Sequence, residues 1–183
     1  PMSAFFDAMV IGEGEEVIIP TPAWPNYGGA LRISGATPVE VPMDFVNGKW
    51  KLDLDRVFAA ITPKTKAISL NSPSNPVGWT ATKDELIAVR DECRKRGLWI
   101  LADEVYSRFF YGERGETRAP SFLDICDDEE QLLLCNTFSK NWAMTGWRVG
   151  WLQAPRALGP AIERIVQVTS SGTPAFLQRG CVA

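Results

Sequence analysis

The chain has 183 residues, of which 45% are hydrophobic and 22% are charged, and this composition is typical of a globular domain that buries a sizeable core. Its net charge of −3 argues against a nucleic-acid-binding surface, and no apolar run approaches the roughly 20 residues of a membrane span. Histidine is absent, which excludes catalytic triads that contain histidine and zinc sites that histidine ligates.

Apolar runs alternate with helical patterns along the chain. In chain order, the patterns predict a strand at 15–20, a helix at 26–34, a strand at 37–42, a helix at 53–61, a strand at 66–71, a helix at 82–97, strands at 98–102, 131–136 and 147–153, and a helix at 155–171. The helix at 82–97 has the clearest boundaries, because Thr82 and Glu85 form a capping-box pattern and Gly97 suits the C-terminal end.

The alternation of solidly apolar strands with helices predicts a three-layer α/β/α fold around a mostly parallel sheet. We expect one domain over residues 1–183. Two connections, 43–50 and 107–120, are longer than a plain crossover needs, and loops of this kind often carry function. The start at Pro1 and the uncapped helical pattern of the last residues suggest a piece of a longer protein, although processing would leave similar ends.

The four cysteines are widely spaced and form no C-x-x-C pair. We expect them to be reduced, mostly buried thiols of a cytoplasmic protein, and we predict no metal site.

Polar residues follow three of the predicted strands. Asn75 comes after the third strand, Asp103 and Tyr106 come after the fourth, and Thr137 and Lys140 come after the fifth. Ligands of open α/β sheets bind beyond the carboxyl ends of the strands. If these strands are parallel, an amide, a carboxylate, a phenol and an amine therefore meet at one edge of the sheet.

Each of these residues also has an ordinary structural explanation. Asp103 has the residue type of a turn, and Asn75 before a proline is also typical of a turn. Tyr106 is explained as a half-buried aromatic residue, and Trp24 as a residue of the core. Arg148 is harder to explain in this way, since an arginine inside an apolar strand requires a buried anionic partner.

Four segments, in this order, resemble one known family. They are "GEGEEVIIPTPAWPNY", "SPSNPVG", "ADEVYS" and "TFSKNWAMTGWRVGW". Together they resemble the large domain of class I/II aminotransferases, which are fold-type I enzymes dependent on pyridoxal 5'-phosphate, and the resemblance covers essentially the whole chain. It implies transfer of an amino group from an amino acid to a 2-oxo acid.

The resemblance also implies a role for each candidate residue. Lys140 would form a Schiff base with the cofactor aldehyde and later move protons as general acid and base. Asp103 would face the pyridine nitrogen, and Tyr106 and Asn75 would donate to the phenolic oxygen. Arg148 would pair with the phosphate.

Two further residues match the family pattern. Thr137 stands where the family has a phosphate-binding serine, and Trp24 resembles the aromatic residue that stacks on the cofactor ring. Two parts of the family pattern are missing: the phosphate-binding loop that would precede Pro1, and the small domain whose arginine binds the substrate carboxylate. Family members are usually homodimers that share residues between their sites, so we expect the isolated chain to be poorly active.

Several alternatives remain open. A C–S lyase or a cyclopropane-forming synthase would share the same cofactor residues, and some transcription regulators carry an aminotransferase-like sensor domain. A T-x-x-K nucleophile pair lacks its S-D-N and K-T-G partners, and no G-x-G-x-x-G motif follows a strand. The identity of the amino acid and of the 2-oxo acid is left open.

Overall fold

A computed structural model describes residues 11–112 and 115–182, so the start at Pro1 lies outside the described residues. The strands are β1 (Glu16–Thr21), β2 (Thr37–Pro42), β3 (Asp44–Val46), β4 (Lys49–Lys51), β5 (Thr65–Asn71), β6 (Trp99–Asp103), β7 (Leu132–Thr137) and β8 (Gly150–Gln153). The α-helices are α1 (Asn26–Ile33), α2 (Leu54–Ala59), α3 (Lys83–Arg96), α4 (Phe138–Asn141), α5 (Gly159–Ser170) and α6 (Ala175–Gly180). None of the described helices is long and apolar enough to cross a membrane.

The main sheet has six strands in the order β2-β1-β5-β6-β7-β8. Within this sheet, the neighbouring pairs β2–β1, β1–β5, β5–β6 and β6–β7 are parallel. Strand β8 at the edge of the sheet runs antiparallel to β7. This topology confirms the predicted mostly parallel α/β fold.

Two hydrophobic clusters cover the two faces of the sheet. Successive residues of a strand point to opposite faces, so Leu134 joins one cluster while its neighbour Leu133 joins the other. Helix α3 contributes Leu86 to the first cluster, and α1 contributes Leu31 to the second. The sheet is therefore buried between two layers, which is the predicted three-layer arrangement.

Helix α3 begins and ends where its sequence predicts. The Thr82 hydroxyl accepts a hydrogen bond from the Glu85 backbone N–H at 3.2 Å, and the Glu85 carboxylate accepts one from the Thr82 N–H at 2.7 Å. Gly97 follows the helix in the left-handed conformation, with φ of 67°. Both capping predictions are confirmed.

Two segments differ from the sequence prediction. Residues 43–50, predicted as a long connection, mostly form the β3–β4 hairpin, whose turn places Asn47 and Gly48 at positive φ. The strand predicted at 147–153 begins only at Gly150, because a 3₁₀ turn occupies Thr145–Trp147 and Arg148 has a left-handed φ of 56°. The alternating apolar pattern did not reveal this turn.

Candidate active site

The carboxyl ends of β5, β6 and β7 meet at one edge of the sheet. Asn71 at the end of β5 pairs in register with Asp103 at the end of β6, and Asp103 pairs in turn with Cys135 on β7. The turn that carries Tyr106 and the short helix that carries Lys140 both start from this edge. The predicted convergence of these strand ends is therefore observed.

Asp103 is half-buried and receives several hydrogen bonds. The Tyr27 phenol donates to one carboxylate oxygen, and the Val105 backbone N–H donates to the other at 3.1 Å. Burial raises the pKa of the Asp103 carboxyl, while the bonds from Tyr27, Val105 and the Cys135 thiol oppose this rise. A cation placed beside Asp103 would favour its ionised form in the same way.

The Asn75 segment is fastened to the Asp103 strand through a residue that we did not predict. The Asn71 side chain donates to the Asp103 carbonyl at 3.0 Å and accepts from the Asn75 backbone N–H at 2.7 Å. Its only sequence signal is an asparagine at the end of an apolar strand. Asn71 therefore couples the position of Asn75 to that of β6.

Lys140 and Tyr106 face each other across the site. The Lys140 ammonium nitrogen lies 5.9 Å from the centroid of the Tyr106 ring. Lys140 is exposed on the four-residue helix α4, and Tyr106 is half-buried in the turn after β6. The amine is thus accessible to a ligand beside the Tyr106 ring.

The structure corrects the expected surroundings of Arg148. Arg148 precedes β8 and is exposed, and its guanidinium donates to the Thr145 carbonyl at 3.2 Å instead of pairing with a buried anion. Because the 3₁₀ turn lifts this residue out of the apolar strand, no buried partner is needed. The guanidinium remains accessible to an anionic ligand.

Thr137 and Trp24 lie at the same edge of the fold. The Thr137 hydroxyl caps α4, since it accepts from the Ser139 N–H at 3.1 Å and donates to the Val149 carbonyl at 3.0 Å. Trp24 is 39% exposed and packs edge-on against Tyr27, with ring centroids 6.3 Å apart. A large part of the indole therefore stays open to solvent.

Glu104 is a second buried acid that the sequence did not single out. It is 6% exposed, and its carboxylate accepts from the Ser121 hydroxyl at 2.6 Å and from the Phe122 N–H at 3.0 Å. Burial raises the pKa of Glu104 to about 7. These bonds hold the end of the 107–120 connection against β6, so we assign Glu104 a structural role.

The chemistry of these groups fits pyridoxal 5'-phosphate. The half-buried carboxyl of Asp103, whose ionised form is favoured by the hydrogen bonds from Tyr27 and Val105, suits a protonated ring nitrogen. The Tyr106 phenol and the Asn75 amide are donors suited to a phenolate oxygen, and the exposed Lys140 amine suits an aldehyde. The exposed Arg148 guanidinium suits a phosphate.

Comparison with known proteins matches residues 2–183 to the family described as aminotransferase class I and II. Over 176 residues the chain is 33% identical to the aspartate aminotransferase of Geobacillus stearothermophilus. This alignment covers 96% of this chain and 44% of that protein. Over 169 residues it is 37% identical to the arginine–pyruvate transaminase of Pseudomonas aeruginosa. This alignment covers 92% of this chain and 42% of that protein.

Solved structures give the same result. The aromatic aminotransferase from Pyrococcus horikoshii superposes on 97% of this chain with a TM-score of 0.84 at 34% identity, and the match covers 45% of that protein. The chain thus spans less than half the length of the relatives that it matches.

Proposed function

Because this chain belongs to the aminotransferase class I and II family, we propose that it binds pyridoxal 5'-phosphate and transfers an amino group from an amino acid to a 2-oxo acid. The observation that carries this proposal is the meeting of β5, β6 and β7 at one sheet edge, where Asp103 receives a phenolic donor and Lys140 faces Tyr106. The bound cofactor would supply an electron sink for the substrate α-carbon.

Asp103 and Lys140 have the two central roles in this proposal. The carboxylate of Asp103 would hold the ring nitrogen in its protonated form, since an adjacent negative charge favours the charged state. The Lys140 amine would hold the cofactor covalently and, once freed by the substrate, would move a proton at the α-carbon.

The other residues would hold and orient the cofactor. Tyr106 and Asn75 would donate to its phenolic oxygen and set the tilt of the ring. Arg148 would bind the phosphate through its planar donor pair, and Trp24 would stack on the ring. Thr137 would also bind the phosphate, although its hydroxyl already donates to the Val149 carbonyl.

The substrates and the assembly belong to the proposal as well. The related proteins are named for aspartate, arginine and pyruvate, or aromatic amino acids, and we propose an amino acid and a 2-oxo acid without choosing among them. We also propose that residues 1–183 form the cofactor-binding large domain of a cytoplasmic homodimer. The four unpaired cysteines support the cytoplasmic location.

The test is covalent labelling of the purified chain. After addition of pyridoxal 5'-phosphate, we expect a visible absorbance band, and borohydride reduction should leave a pyridoxyl group on the peptide that contains Lys140. Lys140→Ala should abolish both the band and the label. A matched control is Lys51→Ala, because Lys51 is exposed on β4.

Labelling scattered over surface lysines of a folded chain would contradict the proposed site. If labelling is specific, product analysis tests the reaction. Formation of a new amino acid with a 2-oxo acid supports transfer, whereas release of pyruvate with ammonia would indicate a lyase.

A further inference from the structure

Asn141, the residue directly after Lys140, links two parts of the candidate site. Its side-chain amide nitrogen donates to the Asn136 side-chain oxygen Oδ1 at 3.0 Å and to the Ser107 hydroxyl at 3.4 Å. Its own side-chain oxygen Oδ1 accepts from the Arg108 backbone N–H at 3.0 Å. One side chain on α4 is therefore bonded both to the end of β7 and to the turn after β6.

The partners of Asn141 are buried and bonded to each other. Asn136 is 7% exposed and Ser107 is 8% exposed. The Asn136 side-chain nitrogen donates to the Ser107 hydroxyl at 3.3 Å, and the Asn136 side-chain oxygen accepts from the Thr137 N–H at 2.8 Å. Removal of Asn141 takes one donor away from each of these two buried groups and leaves the Arg108 backbone N–H without its side-chain acceptor.

The network connects the two segments that carry Tyr106 and Lys140. Ser107 and Arg108 directly follow Tyr106, and Asn141 directly follows Lys140. Helix α4 has only four residues, and a helix this short is not stable without contacts to the rest of the fold. Its orientation relative to the Tyr106 turn therefore depends on contacts made outside the helix. Asn141 provides two hydrogen bonds to the turn, and the Arg108 guanidinium adds a contact over the Trp142 ring, 4.8 Å from its centroid.

We propose that Asn141 is a positioning residue that fixes the Tyr106 turn against the Lys140 helix, and that it acts on the bound cofactor through Tyr106. The second half of this proposal rests on the proposed function. Asn141 does not itself need to touch the cofactor. Its effect is to keep the Tyr106 phenol and the Lys140 amine at the separation seen in the structure. There the Lys140 ammonium nitrogen lies 5.9 Å from the centroid of the Tyr106 ring.

The chemistry of the side chain explains why an amide stands at this position. The Arg108 N–H can only donate, so its partner must be an acceptor, whereas the Asn136 side-chain oxygen can only accept, so its partner must be a donor. A single planar amide meets both needs. Aspartate would keep the acceptor and lose the donor, and alanine or leucine would lose both.

The first part of the experiment uses the cofactor-free chain. Hydrogen exchange of the Arg108 amide is measured in wild type, Asn141→Ala and Asn141→Asp. We expect roughly fivefold faster exchange or more in Asn141→Ala, since a typical hydrogen bond is lost, and near-normal exchange in Asn141→Asp, which keeps the acceptor. Gln131→Ala, which removes an exposed amide before β7, is the matched control.

The second part measures the dissociation constant of pyridoxal 5'-phosphate in a double-mutant cycle. We expect Asn141→Ala to weaken binding roughly fivefold to tenfold, and to weaken it much less in the Tyr106→Phe background, because the two residues act through one contact. If Asn141→Ala does not fold, Asn141→Asp takes its place in the cycle, since it also loses the bonds to Asn136 and Ser107.

Three results would overturn the proposal. Unchanged Arg108 exchange in Asn141→Ala would show that the observed bond does not hold the turn. Fully additive effects in the cycle would show that Asn141 does not act through Tyr106. Failure of wild type to bind the cofactor would remove the proposed function and the role toward the cofactor together, while the exchange data would still decide whether Asn141 holds the turn.

Discussion

The phenol of Tyr27 donates a hydrogen bond to the carboxylate of Asp103, a residue 76 positions later in the chain. Tyr27 lies on α1, which packs on one face of the sheet, and Asp103 ends β6. The same carboxyl lies beside Cys135, and burial together with Asp103 raises the pKa of that thiol well above its usual range. The charge state of Asp103 is therefore set by residues from three separate elements.

Tyr27→Phe removes the phenolic donor and should raise the pKa of the Asp103 carboxyl further, since the hydrogen bond favours the ionised form. We expect binding of pyridoxal 5'-phosphate to weaken roughly tenfold, because hydrogen bonds to charged groups contribute about 1.5–3 kcal/mol. The loss should be greatest at low pH. The measurement is a titration of cofactor affinity against pH.

The control for this change is Tyr111→Phe, because Tyr111 is 95% exposed. A Tyr27→Phe chain that binds the cofactor as tightly as wild type at every pH would show that Tyr27 does not govern the charge of Asp103.

Arg148→Ala should weaken binding of pyridoxal 5'-phosphate while leaving binding of pyridoxal, which lacks the phosphate, nearly unchanged. The exposed guanidinium supplies charge-assisted hydrogen bonds to a phosphate, and their loss should cost roughly tenfold to hundredfold in affinity. Isothermal titration with both ligands checks this expectation. Arg156→Ala, which removes another exposed arginine, is the control. If Arg148→Ala weakened the binding of both ligands equally, Arg148 would not act on the phosphate.

Glu104→Gln should change how stability depends on pH. Burial raises the pKa of Glu104 from its ordinary 4.5 to about 7, so folding favours the protonated carboxyl. Its contribution to stability is fully present below about pH 4.5 and is lost as pH rises through about 7. We expect urea denaturation of wild type to show this decline, on the order of 3 kcal/mol, and Glu104→Gln to lack it.

The control for Glu104 is Glu163→Gln, which changes an exposed acid on α5 and should keep the wild-type profile. A Glu104→Gln chain with the wild-type decline between pH 4.5 and 7 would mean that another group causes it.

Thr82→Ala should destabilise the chain by about 1 kcal/mol, because it removes the hydroxyl that caps α3. The denaturation midpoint in urea measures this cost. Thr117→Ala, at an exposed position outside the helices and strands, is the control. Equal midpoints for wild type and Thr82→Ala would indicate that water replaces the cap without cost.

Most of the fold could be predicted because its signals are local. The apolar runs predicted β1, β5, β6 and β7 to within one residue at each end, and the capping residues marked both ends of α3. The β3–β4 hairpin was missed because its strands are only three residues long and its position was interpreted as a connection.

The candidate site was predictable in part. The order of the strands along the chain was enough to expect Asn75, Asp103 and Lys140 at strand ends that open on one edge. Arg148 was placed in a strand because its neighbours are apolar, but the 3₁₀ turn before it and its left-handed backbone make it exposed. A short turn inside an apolar segment leaves the hydrophobic periodicity nearly unchanged, so the pattern cannot reveal it.

By itself, the sequence determined the order of the main-sheet strands and the longer helices along the chain, the mostly parallel sheet and the set of chemical groups at the strand ends. Each of these follows from hydrophobic periodicity and residue type over a few neighbouring positions. Only the tertiary structure decided which side chains touch. The bond from Tyr27 to Asp103, the link from Asn71 to Asn75, and the bonds from Asn141 to the Tyr106 turn depend on how distant segments pack across the sheet. Their geometry is set by strand register and layer packing, which are properties of the whole fold and not of any local stretch of the chain.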